Sequence, residues 1–355
     1  MKILQIIPTL ASGGAETMVS ELSLALNKRN IKCDVLTLYD VSDSHLYKQL
    51  KHNGIEVYTF NKSNGFRPSI LFRLIRFIKK KKYDVVHAHI GAIKYIVLAS
   101  IYCKKTRFVA TIHSEAKREA GKSLDKFSRK FMFKRNLCVP VTISEESEKS
   151  FEEYYGYPTV IIPNGVSNYK NTLIRNTGNG KIFIHPASCQ PVKNQKMLVD
   201  AFKRLTKEFP DAKLIWVGNT KIYSKLFVSL SKMFNENISY LGECDNVRAL
   251  MADADAMCLS SKMEGLPMSV IEAFSVGCIP ICTPVGGCRN IIKNGINGLL
   301  SQDVSVEGYY NALKYFCQLS PSEVMHIRDN AIKSFDEFTI EKCCSKYLNV
   351  YALKK

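Results

Sequence analysis

The sequence contains no apolar run that approaches the roughly 18 residues needed to cross a bilayer as a helix, so it offers no candidate transmembrane segment. The N-terminal stretch MKILQIIPTLASGGAE starts with an apolar run, but it has one basic residue, a proline inside that run and a glycine-rich turn directly after it. These features are unlike a secretory signal peptide. We interpret the stretch as a buried first strand and do not expect secretion.

The twelve cysteines form no C-x-x-C pair and have no Cys/His spacing typical of a metal site. Several stand where a strand favours a small apolar residue, as in GCIPICTP. We therefore expect buried, reduced thiols in a cytosolic protein rather than a disulfide framework. The sequence also has no short-period repeats and no low-complexity segments.

Positive charge is concentrated in one part of the chain. The net charge is +18, and residues 61–135 hold 20 Lys or Arg against four acids, which leaves the remainder close to neutral. A concentrated basic surface predicts an anionic partner: a membrane surface, a nucleic acid or a phosphorylated substrate.

Apolar strand patterns alternate with amphipathic helix patterns along the chain, which is typical of doubly wound α/β domains. The pattern runs from ILQIIPTL to VIIPNGV, pauses in the polar stretch SNYKNTLIRNTGNG and restarts at KIFIHPAS. We predict an N-terminal Rossmann-like domain over 1–167, a linker over 168–180, a second Rossmann-like domain over 181–335, and a C-terminal helix over 336–355 that returns towards the first domain. The two domains are expected to face each other across a cleft, because doubly wound sheets bind ligands at the carboxyl ends of their strands.

The segment SKMEGLPMSVIEAF, residues 261–274, holds two glutamates among apolar and small residues. Pro267 suits the first turn of a helix and Gly277 suits its end. Glu264 then precedes the helix and Glu272 lies inside it, with free backbone N–H groups between them that suit phosphate. Because carboxylates accept hydrogen bonds from hydroxyls, the pair predicts hydroxyl-rich groups on either side of a diphosphate, as in a nucleotide sugar. The alternative is an ordinary helix cap and a surface acid.

Further motifs follow in TPVGGCRNIIKNGINGLL, where Gly286 and Gly287 would let backbone amides approach a ligand closely. Together, E-G-x-P-x-x-x-x-E-A, G-x-P, G-G and N-G-x-N-G-L-L resemble the donor site of family 4 glycosyltransferases, which have the GT-B fold. GGAE is similar to the family's first glycine loop, IPNGV to the end of its N-terminal domain, and PVKNQKMLVDAF to its phosphate-binding segment. The resemblance covers nearly the whole chain.

This resemblance implies roles for the matching residues in the second domain. Lys193 would neutralise the donor diphosphate, and Glu272 would bind the ribose hydroxyls. Glu264 would hold hydroxyls of the donor sugar, beside the backbone N–H groups of Gly265 and Leu266.

In the first domain the resemblance implies that Gly13 and Gly14 approach the phosphates or the acceptor, and that His113 lies near the sugar. A purely structural role remains open for His113. His87 and His89 are interpreted as structural residues.

The chain departs from the family pattern at two places. Where the family often has an arginine a few residues before the lysine, this chain has Ser188, Cys189 and Gln190, and where an acid usually follows the Gly-Gly turn it has Asn290. We expect Arg289 to supply some of the missing charge. These departures leave the fold prediction unchanged and put donor affinity in question.

The resemblance further implies a retaining transferase that uses a nucleotide-diphosphate sugar and needs neither a cofactor nor a metal. The sequence DAD at 253–255 stands at a strand entrance, where its acids are solvated. No residue suggests a covalent nucleophile. We therefore expect same-face attack, in which the leaving phosphate accepts the proton of the acceptor.

Two basic helical patterns make up the charged region, ILFRLIRFIKKKK at 70–82 and KREAGKSLDKFSRKFMFKRN at 117–136. Sheet-packing helices with solvated outer faces would explain their apolar stripes but not the excess of charge. We predict that this face docks on anionic lipid, and that the protein is cytoplasmic and peripheral on the inner face of the cell membrane. The residues predicted for this membrane or acceptor face are Arg73, Arg76, Lys80, Arg129 and Lys130.

The expected function is transfer of a sugar to a saccharide or lipid-linked saccharide during synthesis of a surface polysaccharide or glycolipid. A nucleotide-sugar epimerase or a hydrolase of the same fold is an alternative. A nicotinamide dehydrogenase is disfavoured because ASGGAE lacks the G-x-G-x-x-G spacing. A nucleic-acid-binding protein would use the basic face but leave the two domains unexplained, so no nucleic acid is expected. A catalytically silent binding partner also remains open.

Overall fold

The computed structural model describes residues 1–11, 13–120, 123–169 and 181–353. Contacts divide the chain into two units, one formed by Met1–Ser167 with Phe338–Lys355 and the other by Asn168–Glu337. Each unit is built around one parallel sheet, which confirms the prediction of two doubly wound α/β domains. Most of the predicted linker, residues 170–180, lies outside the described residues.

The first unit contains a seven-stranded sheet in the order β3-β2-β1-β4-β5-β6-β7. Its strands are β1 (Lys2–Ile7), β2 (Lys32–Thr37), β3 (Val57–Thr59), β4 (Val85–His89), β5 (Arg107–Ile112), β6 (Val139–Thr142) and β7 (Val160–Ile161). The helices that connect them are α1 (Gly14–Lys28), α2 (His45–His52), α3 (Ser69–Lys81), α4 (Val97–Tyr102), α5 (Ala116–Ala120), α6 (Ser123–Lys134) and α7 (Glu145–Tyr155).

The second unit contains a six-stranded sheet in the order β10-β9-β8-β11-β12-β13. Its strands are β8 (Ile182–Pro186), β9 (Lys213–Val217), β10 (Ile238–Gly242), β11 (Ala256–Leu259), β12 (Ile279–Cys282) and β13 (Leu299–Leu300). Its helices are α8 (Gln195–Leu205), α9 (Ser224–Ser231), α10 (Val247–Asp253), α11 (Met268–Ser275), α12 (Gly287–Ile291), α13 (Val306–Gln318) and α14 (Pro321–Phe335).

The strand order reverses beside the first strand of each sheet, between β1 and β4 and between β8 and β11. At such a point the connecting loops leave in opposite directions, and a crevice opens at the carboxyl ends of the two strands. Because helices cover both faces of a parallel sheet, the central strands are continuous apolar runs, and all residues of β4 are buried. The topology therefore places the loops after β1, β4, β8 and β11 where a ligand is expected.

The last helix, α15 (Ile340–Ala352), belongs to the first unit although it ends the chain. The N–H of Val166 donates to the Phe338 carbonyl oxygen at 2.9 Å. Gly165 packs directly on the start of the helix, since a Cβ there would lie 2.8 Å from Ile340 Cα and 2.9 Å from the Thr339 carbonyl oxygen. Only glycine fits at this contact.

Within the described residues, no helix is both long enough and apolar enough to cross a membrane.

Replacing Gly165 by alanine should loosen the contact between α15 and the rest of the first unit. We expect Gly165→Ala to lower the free energy of unfolding by about 1–3 kcal/mol, the usual cost of overpacking a closed contact. The matched control is Gly91→Ala, whose Cβ would meet only Pro8 Cγ at 3.7 Å. Denaturant unfolding of both variants checks this, and equal stabilities would contradict the packing described.

Candidate functional site

Two loops at the carboxyl ends of paired strands carry Lys193 and Glu264. Lys193 ends the 3₁₀ turn that follows β8, and Glu264 lies between β11 and α11. Lys193 Nζ is 2.7 Å from Glu264 Oε1, and the two side chains are 23% and 11% exposed. A charge-assisted hydrogen bond in such a sheltered place is stronger than one at the open surface. The structure thus brings together the lysine and the glutamate that the sequence assigned to adjacent parts of one ligand.

Neighbouring polar groups fix the two loops to each other. The N–H of Lys262 donates to the Val192 carbonyl oxygen at 2.8 Å, and Ser260 Oγ donates to the Lys193 carbonyl oxygen at 2.8 Å. Ser261 Oγ donates to Glu264 Oε1. Ser260 and Ser261 were not predicted as site residues, although two polar residues directly after an apolar strand indicate a loop that carries a site.

One oxygen of the Glu264 carboxylate accepts no hydrogen bond from the described residues. Lys193 and Ser261 both bond to Oε1, and among the described residues none donates to Oε2. Over the same residues, no acceptor is found for the backbone N–H groups of Gly265 and Leu266. The loop therefore offers a carboxylate oxygen for a hydroxyl and two N–H groups for an anion.

Glu272 lies inside α11, in its second turn, and is half-buried. Pro267 immediately precedes the helix, in an extended conformation. The helix thus begins where the proline and Glu264 predicted. The contact of Glu272 with ribose stays a prediction.

The Gly-Gly turn has a different role from the expected one. A Cβ on Gly286 would lie 1.7 Å from the Glu264 carbonyl oxygen, and one on Gly287 would lie 2.1 Å from that of Gly265. Gly286 also has a φ of +48°, a backbone angle that residues with a side chain rarely adopt. The Gly287 amide, predicted to approach a ligand, instead donates to the Gly265 carbonyl oxygen at 2.8 Å. The two glycines leave space for the loop that carries Glu264, and their close contact with its backbone fixes the position of Glu264.

Arg289 lies in α12 and is exposed. Its Nε donates to the Pro284 carbonyl oxygen, which holds the guanidinium beside the Gly-Gly turn. That Arg289 compensates for the arginine missing before Lys193 stays a prediction. The described residues contain no cluster of three or more His, Cys, Asp or Glu side chains able to hold a metal ion.

In the first unit, the glycine loop follows β1 and leads into α1. Gly13 precedes the helix, and a Cβ there would lie 2.4 Å from Glu16 Oε2, while Gly14 is exposed. Glu16 accepts a hydrogen bond from Thr9 Oγ1 at 3.2 Å, and burial raises the pKa of its carboxyl group. No role was predicted for Glu16 from the sequence. An acid in the first turn of a helix that begins at a glycine loop was the available signal.

His113 follows β5 and is held from two sides. Its Nε2 is 3.0 Å from His89 Nδ1, and its backbone N–H donates to Glu119 Oε2 at 2.8 Å. Burial lowers the pKa of His113 to about 4, so the ring is neutral at physiological pH. His87 and His89 are both 0% exposed, as expected for structural residues.

Arg129 does not belong to the basic face, and that prediction was wrong. Its side chain is 0% exposed, with Nε 2.9 Å from Asp125 Oδ1 and one terminal nitrogen 3.4 Å from Glu119 Oε1. A buried guanidinium is tolerated because both carboxylates neutralise it. The spacing of Asp125 and Arg129, four residues apart on a helix, was the signal for an internal pair.

The other residues predicted for the basic face remain accessible. Arg73, Arg76 and Lys80 are exposed and Lys130 is half-buried. A groove of about 300 Å³ lies between β3 and α3, and it is lined by Tyr58, Thr59, Phe60, Arg73, Arg76, Phe77 and Lys80. We call it the basic groove.

Comparison with known proteins places both units in glycosyltransferase families. Residues 12–168 match the model of Glycosyltransferase Family 4, and residues 173–334 match that of Glycosyl transferases group 1. An Escherichia coli relative, the UDP-Gal:alpha-D-GlcNAc-diphosphoundecaprenol alpha-1,3-galactosyltransferase, is 26% identical over 79% of this chain and 78% of its own length. CapH, a capsular polysaccharide biosynthesis glycosyltransferase of Staphylococcus aureus, is 28% identical over 80% and 82%.

Among solved structures, HepE of Anabaena in complex with UDP has a TM-score of 0.82 and 19% identity, covering 99% of each chain. At this level of identity the likeness establishes the fold.

Removing the lysine charge should weaken binding of nucleoside diphosphates. We expect Lys193→Ala to raise the Kd for UDP or GDP roughly tenfold or more, the effect of losing one hydrogen bond from a charged group. Lys196→Ala is the matched control, because Lys196 lies three residues further on, is 68% exposed and pairs with Asp200. Titration calorimetry measures both, and an unchanged Kd for Lys193→Ala would remove this residue from the diphosphate site.

Proposed function

Because this chain belongs to the family 4 glycosyltransferases of GT-B fold, we propose that it is a retaining enzyme that transfers a sugar from a nucleotide-diphosphate sugar to a lipid-diphosphate-linked saccharide. The observation that carries the proposal is the Lys193–Glu264 pair. Beside it lie an open carboxylate oxygen and the N–H groups of Gly265 and Leu266, which have no acceptor among the described residues. Such a loop offers groups for a diphosphate and for sugar hydroxyls within a few ångströms.

In the proposed reaction, the bond between the anomeric carbon and the phosphate oxygen breaks, and a bond to the acceptor oxygen forms on the same face of the sugar. The proton of the acceptor hydroxyl passes to the leaving phosphate. Lys193 stabilises the charge that develops on the diphosphate. Glu264 orients the sugar by accepting from a hydroxyl through Oε2, and Glu272 binds the ribose.

The names of the relatives support this class of donor and acceptor. The E. coli relative uses a UDP-sugar and a diphosphoundecaprenol-linked acceptor, CapH acts in capsule synthesis, and HepE was solved with UDP. A lipid-diphosphate acceptor also matches the excess of positive charge in residues 61–135 of this chain. We therefore include a surface polysaccharide or glycolipid as the end product.

The basic groove supports contact with anionic lipid. Arg73 Nη1 donates to the Phe60 carbonyl oxygen at 2.8 Å and its guanidinium lies over the Phe60 ring, while Arg76 and Lys80 are exposed at the rim. Phe72 on α3 is 57% exposed, and Phe127 on α6 is 71% exposed. Cations beside exposed aromatic rings are typical of surfaces that rest on a membrane. We propose peripheral association with the inner face of the cell membrane through this surface.

The activity is tested by incubating the protein with a panel of nucleotide sugars, with and without a lipid-diphosphate-linked saccharide. Thermal-shift measurements first select the donor, since a ligand that binds the folded state raises its apparent stability. We expect release of nucleoside diphosphate that depends on the acceptor and yields an α-linked product from an α-linked donor. Equal donor turnover without acceptor would instead indicate a hydrolase or an epimerase.

Membrane association is tested by liposome sedimentation with the double variant Arg76→Ser/Lys80→Ser. Each basic residue near an anionic surface contributes about 1 kcal/mol, so the double variant should bind anionic vesicles roughly 30-fold more weakly. The control is Lys203→Ser/Lys207→Ser, an exposed pair with the same spacing at the end of α8. If wild type binds neutral and anionic vesicles equally weakly, the membrane proposal fails.

A further inference from the structure

An aromatic ring is exposed on the loop that joins β3 to α3. The side chain of Phe66 is 49% exposed, and its ring is stacked on that of Tyr95, with the ring centroids 5.4 Å apart and the planes 18° from parallel. Tyr95 itself is 1% exposed. One face of the Phe66 ring is therefore supported by a buried ring, and the opposite face is accessible to solvent.

The stacked pair lies at the carboxyl edge of the first sheet. Tyr95 ends the 3₁₀ helix Ile90–Tyr95, which directly follows β4, and the loop of Phe66 follows β3. The same loop is bonded to the segment after β2, because the N–H of Lys62 donates to the Leu38 carbonyl oxygen at 2.7 Å. Ligands of doubly wound domains bind at this edge, so Phe66 lies where a ligand of the first unit is expected.

A buried lysine holds the backbone of this loop. Lys62 is 7% exposed, and its ammonium group donates to the Tyr39 hydroxyl at 2.9 Å and to the carbonyl oxygens of Ser63 and Gly65 at 2.8 and 2.6 Å. An ammonium group has three donors, and here each of them has an acceptor. Because a buried cation is costly without such partners, the lysine and the loop carbonyls hold each other in place.

The backbone beside Phe66 is also fixed on the side of Tyr95. The N–H of Arg67 donates to the Tyr95 hydroxyl at 3.4 Å, so the residue that supports the ring also binds the adjoining backbone. Gly65, directly before Phe66, has a φ of +84°, which favours glycine. A side chain that is already held in this way loses little conformational freedom when a ligand covers it.

Polar side chains flank Phe66 in the loop. Ser63, Asn64 and Arg67 are exposed, and their side chains bond to no other residue in the part of the chain that the structure describes. They supply hydroxyl, amide and guanidinium groups that donate hydrogen bonds. Residues 57–83 include no Asp or Glu, so no acid of this segment competes for these donors.

A pyranose ring matches this arrangement. The C–H groups on its face lose contact with water when they stack on an aromatic ring, and the hydroxyl groups at its edge bond to polar side chains. A lipid chain matches less well, because the polar loop around Phe66 would have to enter hydrocarbon together with the ring. The supported flat ring and its polar surroundings thus favour a saccharide over a membrane.

We propose that the exposed face of Phe66 stacks on a pyranose ring of the saccharide acceptor, and that Ser63, Asn64 and Arg67 donate hydrogen bonds to the hydroxyls of that ring. The inference rests on the proposed function, which supplies the saccharide acceptor. It involves residues of the first unit alone. Phe66 is thus a binding residue that influences which acceptor fits, and it takes no part in the breaking or forming of bonds.

Binding is measured directly by saturation-transfer difference spectra of the full chain, without nucleotide sugar or lipid. The probes are the methyl α-glycosides of glucose, galactose, N-acetylglucosamine and N-acetylgalactosamine. We expect at least one probe to receive saturation at its ring C–H protons when the aromatic protons of the protein are irradiated. If none of the probes does so, the proposal is wrong.

Substitution of Phe66 shows whether this ring makes the contact. Phe66→Ala should raise the Kd of the bound glycoside roughly three- to tenfold, the effect of losing one stacked aromatic contact, whereas Phe66→Trp, which keeps a flat ring, should retain binding. The matched control is Tyr102→Ala, because Tyr102 at the end of α4 is 61% exposed and has no aromatic ring stacked on it among the described residues. Wild-type affinity in Phe66→Ala, or an equal loss in Tyr102→Ala, overturns the proposal.

Enzyme kinetics separate this inference from the proposed function. With a lipid-diphosphate-linked saccharide that the wild type glycosylates, Phe66→Ala should raise the KM for the acceptor roughly three- to tenfold. The KM for the nucleotide sugar and kcat should not change, since only acceptor binding is weakened. Equal changes in both KM values would reveal a general structural effect and contradict the proposal. If the wild type transfers no sugar, the proposed function fails, while the glycoside spectra still decide whether Phe66 binds a saccharide.

Liposome sedimentation distinguishes a saccharide from a lipid as the partner of Phe66. Phe66→Ala should bind anionic vesicles as tightly as the wild type does. Weaker binding to vesicles, together with unchanged binding of the glycosides, would assign Phe66 to the membrane surface and overturn the proposal.

Discussion

The ion pair between Lys193 and Glu264 determines the arrangement of the second unit's site. The two residues belong to loops that leave different strands at the reversal of strand order, so the pair joins segments that are 71 residues apart in sequence. Without the lysine, Glu264 would be a sheltered carboxylate with no counter-charge, which is costly. The Gly-Gly turn is shaped around this loop, because any side chain at Gly286 would collide with the Glu264 backbone. The ion pair between Lys193 and Glu264 and the backbone contact between Gly286 and Glu264 thus depend on each other.

The first unit also contains sheltered polar side chains, but its buried imidazoles are uncharged. Its polar residues lie within the sheet core, where ionisation is suppressed by burial, and each imidazole acts as a neutral donor and acceptor. Arg129 is paired with both Asp125 and Glu119, and Glu119 also accepts a hydrogen bond from the His113 N–H. The second unit therefore places an ion pair at the carboxyl ends of its strands, whereas the first unit has buried neutral imidazoles there.

The strands and the start of α11 could be predicted from the sequence, because their signals are local. Apolar runs predicted the strands of the first sheet and all strands of the second except β13, and Pro267 predicted the start of α11. Arg129 was misplaced because its pairing with Asp125 on the same helix was overlooked and because its second partner, Glu119, lies on another helix. The Gly286 contact could not be predicted either, since a glycine pair does not reveal whether a ligand or the chain's own backbone fills the space.

The hydrogen bonds of the buried histidines were missed for a related reason. The run VVHAH showed that polar residues interrupt a buried strand, and the complete burial of His87 and His89 is consistent with their interpretation as structural residues. Their hydrogen-bond partners include Gln5 and Tyr351, which are 346 residues apart in sequence. No local pattern contains that information.

The position of α15 has a consequence for the order in which the protein matures on the ribosome. The first 167 residues emerge first, yet Tyr347 and Tyr351, which complete their buried polar core, are synthesised only after the second unit. At roughly 5–20 residues per second, the intervening unit takes about ten to thirty seconds to appear. All segments of the second unit are synthesised before the last segment of the first unit. The N-terminal sheet therefore lacks part of its polar interior until α15 has been synthesised.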